Sequence, residues 1–136
     1  MIIETRTNVY QTRYHLVFTT KYRQRMFDTV AKQDFLKDLF EQIAEDHEVI
    51  VLSQEVMPDY VRLCVSFPPK YSISDVVKKL KGASARHWFI EHPESKDLLW
   101  KGHLWHGSYF VSTEGDVSEN VIQDYIEAQK DEPPMF

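Results

Sequence analysis

From Tyr14 to Thr20 the chain alternates between two sides and is rich in β-forming residues. Tyr14, Leu16 and Phe18 fall on one side, and His15, Val17 and Thr19 on the other. A period of two in β-forming residues predicts a strand. The period then lengthens: Phe35, Leu36, Leu39, Phe40 and Ile43 form one stripe at helical spacing, so a helix is expected from a cap at Asp28 to about Asp46. Val49 to Met57 reads as a second strand, Pro58-Asp59 as a turn, and Tyr60 to Phe67 as a third strand. The two-residue turn makes the last two strands a hairpin. On the third strand Val61, Leu63, Val65 and Phe67 face one way, and Tyr60, Arg62, Cys64 and Ser66 the other.

Pro68-Pro69 ends the hairpin. Ser72 with Asp75 three residues later has the spacing of a capping box, opening a helix that Pro93 stops after Glu91. Residues 94–107 read as a long ordered loop holding Trp100 and Trp105. Tyr109 to Thr113 reads as a short fourth strand, broken by Gly115-Asp116. Ser118 caps a last helix through about Lys130, and Pro133-Pro134 closes the chain. The order β-α-β-β-α-β with a terminal helix is the ferredoxin-like split βαβ pattern: an α+β domain with one antiparallel sheet and helices on one face. The whole chain, 1–136, is read as a single domain with its core at about 10–130. The face bearing Tyr60, Arg62, Cys64 and Ser66 is expected to be free.

The chain has 136 residues, 43% of them hydrophobic and 27% charged, which suits one globular domain with a real core. One cysteine, Cys64, excludes a disulfide framework and a Cys-based zinc site. No apolar run is long enough for a membrane span and no signal-type leader is visible, so a cytoplasmic protein without membrane contact is expected. The net charge of −5 speaks against nucleic acid, but its distribution does not. Residues 1–27 carry Arg6, Arg13, Lys21, Arg23 and Arg25 against Glu4 alone. Residues 70–90 carry Lys70, Lys78, Lys79, Lys81 and Arg86 against Asp75 alone. Screening confines the influence of remote acids to about a Debye length, so such islands can hold phosphate locally. On charge alone they read rather as solvated faces with no partner.

An open sheet face flanked by basic loops fits single-stranded nucleic acid, with Tyr14 and Tyr60 as candidate stacking platforms. Tyr125 and Gln129 are four apart and share a face of the last helix. A tyrosine can attack phosphorus; taken alone, Tyr125 reads as a packing residue beside Val121, Ile122 and Ile126. His103 and His106 are close in sequence, but two histidines without a third ligand make a poor metal site.

Tyr14-His15-Leu16-Val17-Phe18, Lys21-Tyr22-Arg23, Glu55-Val56-Met57-Pro58-Asp59, Leu80-Lys81-Gly82-Ala83-Ser84-Ala85-Arg86, Leu104-Trp105 and Tyr125-Ile126-Glu127-Ala128-Gln129 together resemble one family. It is that of the TnpA-like one-tyrosine HUH transposases of small insertion sequences. The resemblance runs over roughly residues 10–130. It implies a ferredoxin-like fold, a homodimer, recognition of hairpins at element ends, and single-strand DNA cleavage through a 5′-phosphotyrosine link. In that family two histidines on a central strand and a polar residue of the tyrosine's helix hold Mg²⁺ or Mn²⁺. By resemblance Tyr125 is the nucleophile and Gln129 the third ligand. Lys21, Arg23, Arg25, Lys78, Lys79, Lys81 and Arg86 are the candidates for hairpin contact.

The chain departs from its family where the pattern asks for His-Val-His: it has Tyr60-Val61-Arg62. A neutral phenol is a poor ligand for these ions, and a guanidinium stays protonated and repels them. No bound metal is expected, therefore, and only Gln129 remains of the three ligands. Loss of the ion costs several kcal/mol of barrier, on the order of a thousandfold or more in rate. Arg62 can instead hold a phosphate, and His103 or His106 would rebuild a metal site only after a large movement. The expectation is a transposase-family protein whose metal-dependent nicking is lost or weakened; the alternative is a DNA- or RNA-hairpin-binding module without catalysis.

Overall fold

Each alternating segment becomes a strand, and the hairpin fixes how the strands pair. The computed structural model describes residues 3–4, 9–10, 12–99, 102–113 and 118–129. Its elements are β1 (Ile3–Glu4), β2 (Val9–Tyr10), β3 (Tyr14–Thr19), α1 (Val30–Asp46), β4 (Ile50–Met57), β5 (Tyr60–Ser66), α2 (Ile73–Glu91), β6 (Phe110–Ser112) and α3 (Glu119–Ala128). The main sheet has the order β4-β5-β3-β6 with every pair antiparallel. This is the expected α+β arrangement. β1 and β2 pair separately, a small ladder that the sequence pattern does not announce.

Register sorts the side chains onto two faces. Phe18, Val61 and Val56 lie opposite one another on the inner face. There they join Leu16, Leu63 and Val65 beneath α1 and α2, which contribute Leu36, Phe40, Val76, Leu80 and Trp88. Burying a side chain of this size contributes about 1.5–3 kcal/mol. Tyr14 belongs to this inner face and stacks on Phe67 with ring centroids 4.4 Å apart. That corrects its candidacy as a platform on the open face: the period of two that puts it with Leu16 and Phe18 also puts it under the helices.

Three boundaries move. The cap of α1 is Thr29, whose hydroxyl accepts from the Lys32 N–H at 3.1 Å, while Asp28 pairs with the Lys32 ammonium. β6 is only three residues long. α3 ends at Ala128, with Gln129 as its C-cap. Within the long loop, Pro93–Leu98 form a 3₁₀ helix, and Trp105 bridges to Thr20 at the end of β3. Trp105 is buried and donates its indole N–H to Ser84 at 3.0 Å. Trp100, Gly115-Asp116, Lys130 and Pro133-Pro134 lie outside the described residues. No helix among those residues is long and apolar enough to cross a membrane.

The outer face is not free. α3 crosses it, and Ile122 and Ile126 bury Val17, with Tyr60, Phe110 and Tyr125 packed around them. What α3 leaves open is a cavity of about 160 Å³ lined in part by His15, Ser53, Glu55, Arg62 and Cys64.

Candidate tyrosine site on the outer sheet face

Amphipathic spacing and one cap place Tyr125. Ser118 accepts from the Val121 N–H at 3.3 Å and starts α3. Ile122 and Ile126 then turn inward, which carries Tyr125 to the edge of the buried stripe. Its ring packs on Phe110, centroids 5.7 Å apart. Its hydroxyl lies 2.8 Å from the hydroxyl of Ser108, which donates to Gln129 Oε1 at 3.0 Å. Ser108 therefore joins the two residues that helical spacing had put on one face. Burial raises the Tyr125 pKa above the ordinary phenol value, and the Ser108 hydrogen bond opposes this only in part.

The loop carrying Ser108 is pinned from below. Lys81 of α2 donates to the carbonyls of His106 at 2.7 Å and Ser108 at 2.8 Å. Its ammonium also lies over the rings of Phe18 and Tyr109. Burial lowers the Lys81 pKa to about 8. The His106 N–H donates to the Thr19 carbonyl and the Lys21 N–H to the Leu104 carbonyl, so the loop is also bonded to the end of β3. His106 turns its Nδ1 to Ser108, accepting from the backbone N–H at 3.1 Å and lying 3.0 Å from Oγ. Ser108 was not singled out from the sequence. Its only sequence signal is a small polar residue just before β6.

Tyr60 and Arg62 share the outer face, as their spacing requires, but both turn to α3. Arg62 pairs with Glu119 at 2.6 Å, and the Gln123 amide reaches the Tyr60 hydroxyl at 3.5 Å. Arg23 makes a third tie. Its guanidinium donates to Asp59 at 2.8 and 3.1 Å and to the Ile126 carbonyl at 3.4 Å, with Glu127 at 3.6 Å. It reaches them because Tyr22 and Arg23 both adopt left-handed backbone, φ 58° and 52°. Non-glycine residues held there cost of order 1–3 kcal/mol each, which the surrounding bonds must offset.

The donor set at these positions does not fit a divalent ion. Arg62 presents N–H groups and no lone pair, and its partner is a carboxylate on α3. Gln129 turns its oxygen to Ser108. Among the described residues no group of three His, Cys, Asp or Glu is placed to hold a metal. His103 lies with Lys81 and His106 along a separate groove.

The basic candidates divide. Arg25, Lys78 and Arg86 are exposed. Lys79 lies over the Tyr71 ring and Lys21 over that of Tyr22. Arg23 and Lys81 are engaged inside the protein.

The chain is similar in sequence and fold to known proteins. The family described as transposase IS200 like matches residues 8–129. The chain is 46% identical over 124 residues to the ISDra2 transposase TnpA of Deinococcus radiodurans, covering 90% of this chain and 87% of that protein. It is 30% identical over 123 residues to the transposase for insertion sequence element IS200 of Salmonella typhimurium, covering 90% and 80%. A crystal structure of a transposase from Deinococcus radiodurans R1 superposes with a TM-score of 0.81 at 42% identity, over 93% of this chain and 97% of that one. A REP-associated tyrosine transposase bound to a REP hairpin shares the fold, with a TM-score of 0.56 at 12% identity, over 94% of this chain and 68% of that one. With the family's pattern running through nearly all of β3 to α3, the chain belongs to the IS200-like transposases.

Proposed function

We propose that this chain binds folded single-stranded DNA of the hairpin type found at insertion-sequence ends, as a homodimer in the cytoplasm. We further propose that metal-dependent nicking and 5′-phosphotyrosine formation by Tyr125 are lost or weakened in it. The observation that carries the second part is Arg62, a permanent cation paired with Glu119 where the resemblance implies an imidazole. Support for the hairpin comes from family membership, from the exposed Arg25, Lys78 and Arg86, and from the hairpin held by a protein of the same fold.

The test is incubation with labelled single-stranded hairpin DNA, with and without Mn²⁺. Binding is expected to weaken steeply with salt, since released counterions drive it; a flat salt response removes the nucleic-acid partner. On a denaturing gel the covalent adduct should be no more abundant with Mn²⁺ than without. A Mn²⁺-dependent adduct that disappears in Tyr125→Phe overturns the disarmed site. Calorimetry should show Mn²⁺ uptake by the Tyr60→His, Arg62→His double variant and none by the parent chain.

A further inference from the structure

The hydrogen bonds around Ser108 fix the direction in which a proton can move. The Ser108 backbone N–H donates to His106 Nδ1 at 3.1 Å, so that nitrogen is bare and the neutral ring carries its proton on Nε2. Nδ1 is also 3.0 Å from Ser108 Oγ, and Gln129 Oε1 accepts from the same hydroxyl at 3.0 Å. Ser108 has one hydroxyl proton for these two acceptors. The Tyr125 O–H, 2.8 Å away, is left as the donor to Oγ. A path therefore runs from the Tyr125 phenol through Ser108 to the lone pair of an imidazole, by far the most basic acceptor of the three.

We propose that His106, acting through Ser108, takes the proton that Tyr125 gives up when its phenol oxygen attacks phosphorus. The inference rests on Tyr125 being the nucleophile and concerns the residual attack that the proposed weakening leaves. In the step, the Tyr125 oxygen–phosphorus bond forms and the bond from phosphorus to the 3′ oxygen breaks. The 3′ oxygen leaves with the bonding pair and takes a proton from water. The phenol proton passes to Ser108 Oγ as the Ser108 proton passes to Nδ1, leaving an imidazolium. His106 is here a positioning residue, since it never touches the phosphorus.

Two features suit this role. Burial holds the phenol in its neutral form, so attack requires a base at that moment. Lys81 grips the carbonyls of both His106 and Ser108, fixing the imidazole and hydroxyl relative to each other. Among the described residues the titratable groups around His106 include Lys81 from α2, Tyr125 from α3, and Lys21 and His103 from the adjoining loops.

The path can be tested without DNA or metal by labelling the intact chain with an aryl sulfonyl fluoride. This reagent forms a tyrosine O–S bond, expels fluoride and needs the same proton removed. Mass spectrometry locates the label, with Tyr125→Phe as the control. His106→Gln keeps an acceptor for the Ser108 N–H but not a base. It should slow Tyr125 labelling about tenfold or more while leaving the labelling of the other tyrosines unchanged. Ser108→Ala should do the same. Equal Tyr125 labelling rates in His106→Gln and the parent chain overturn the relay, as does full-rate labelling in Ser108→Ala. Loss of hairpin binding would show only in the DNA assay, so the two readings fail separately.

Discussion

The two faces of the sheet are built on opposite principles. The inner face is a continuous apolar layer from Leu16 to Trp88, and its two indole N–H groups are satisfied by Ser84 and Ser95. Among the described residues the outer face has a small buried apolar cluster, Val17, Ile122 and Ile126, with Cys64 buried beside Arg62 on the same strand face. α3 is held there largely by polar ties: Arg62 to Glu119, Arg23 to Asp59 and Ile126, and Ser108 to Tyr125 and Gln129. Apolar burial is non-directional and is not subject to charge screening, whereas ion pairs and hydrogen bonds are directional and ion pairs weaken as salt screens them. The difference teaches that the chain's stability and its chemistry are lodged on different sides of one sheet. A change on one side can therefore be read apart from the other.

The largest effect should come from the inner face. Trp88→Ala empties the site of a fully buried indole and should cost about 3–5 kcal/mol, seen as a lower urea midpoint. On the outer face Arg23→Ala leaves Asp59 without its guanidinium and releases the Ile126 carbonyl. A loss of about 1–3 kcal/mol is expected, with faster hydrogen exchange concentrated in α3. Arg62→Ala should cost no more than about 1 kcal/mol, because Glu119 is largely exposed. If Arg62→Ala proved as damaging as Trp88→Ala, the contrast between the faces would be wrong.

The smallest effect is one of pH. The folded protein depresses the Lys81 pKa from 10.5 to about 8, so above pH 8 the unfolded chain binds the extra proton. Stability should therefore rise with pH from about 8 towards 10.5. Tyr125, whose pKa is raised by folding, opposes this only above the ordinary phenol range near 10. Urea midpoints between pH 7.5 and about 9.5 should show the rise, small because Lys81 keeps some contact with solvent, and Lys81→Met should flatten it.

Much of this architecture was legible in the residues. Period-two alternation placed β3 and β5 and their faces, and Ser72 and Ser118 do cap their helices. The cap of α1 lies one residue beyond the expected Asp28, since Asp28 and Thr29 are both good caps and only the Lys32 contacts choose between them. The loop before β6 was harder. Its order comes from Trp105 packed far away in sequence, beside Phe18 and Phe27, and from the Lys81 ammonium. Of the tyrosine site, Tyr125 and Gln129 were visible as an i, i+4 pair. Ser108 and the direction of His106 were not, because a lone serine or histidine in a loop has no periodicity to expose it.

By itself the sequence determined the strand and helix order, the inner face and the departure at Tyr60 and Arg62, because those follow from local period and side-chain chemistry. Only the tertiary structure decided that Arg23 and Lys81 turn inward, that Arg62 meets Glu119, and that Ser108 stands between His106 and Tyr125. Each of these contacts joins residues from different elements, and where a long or small polar side chain points is set by the partners the fold brings within reach.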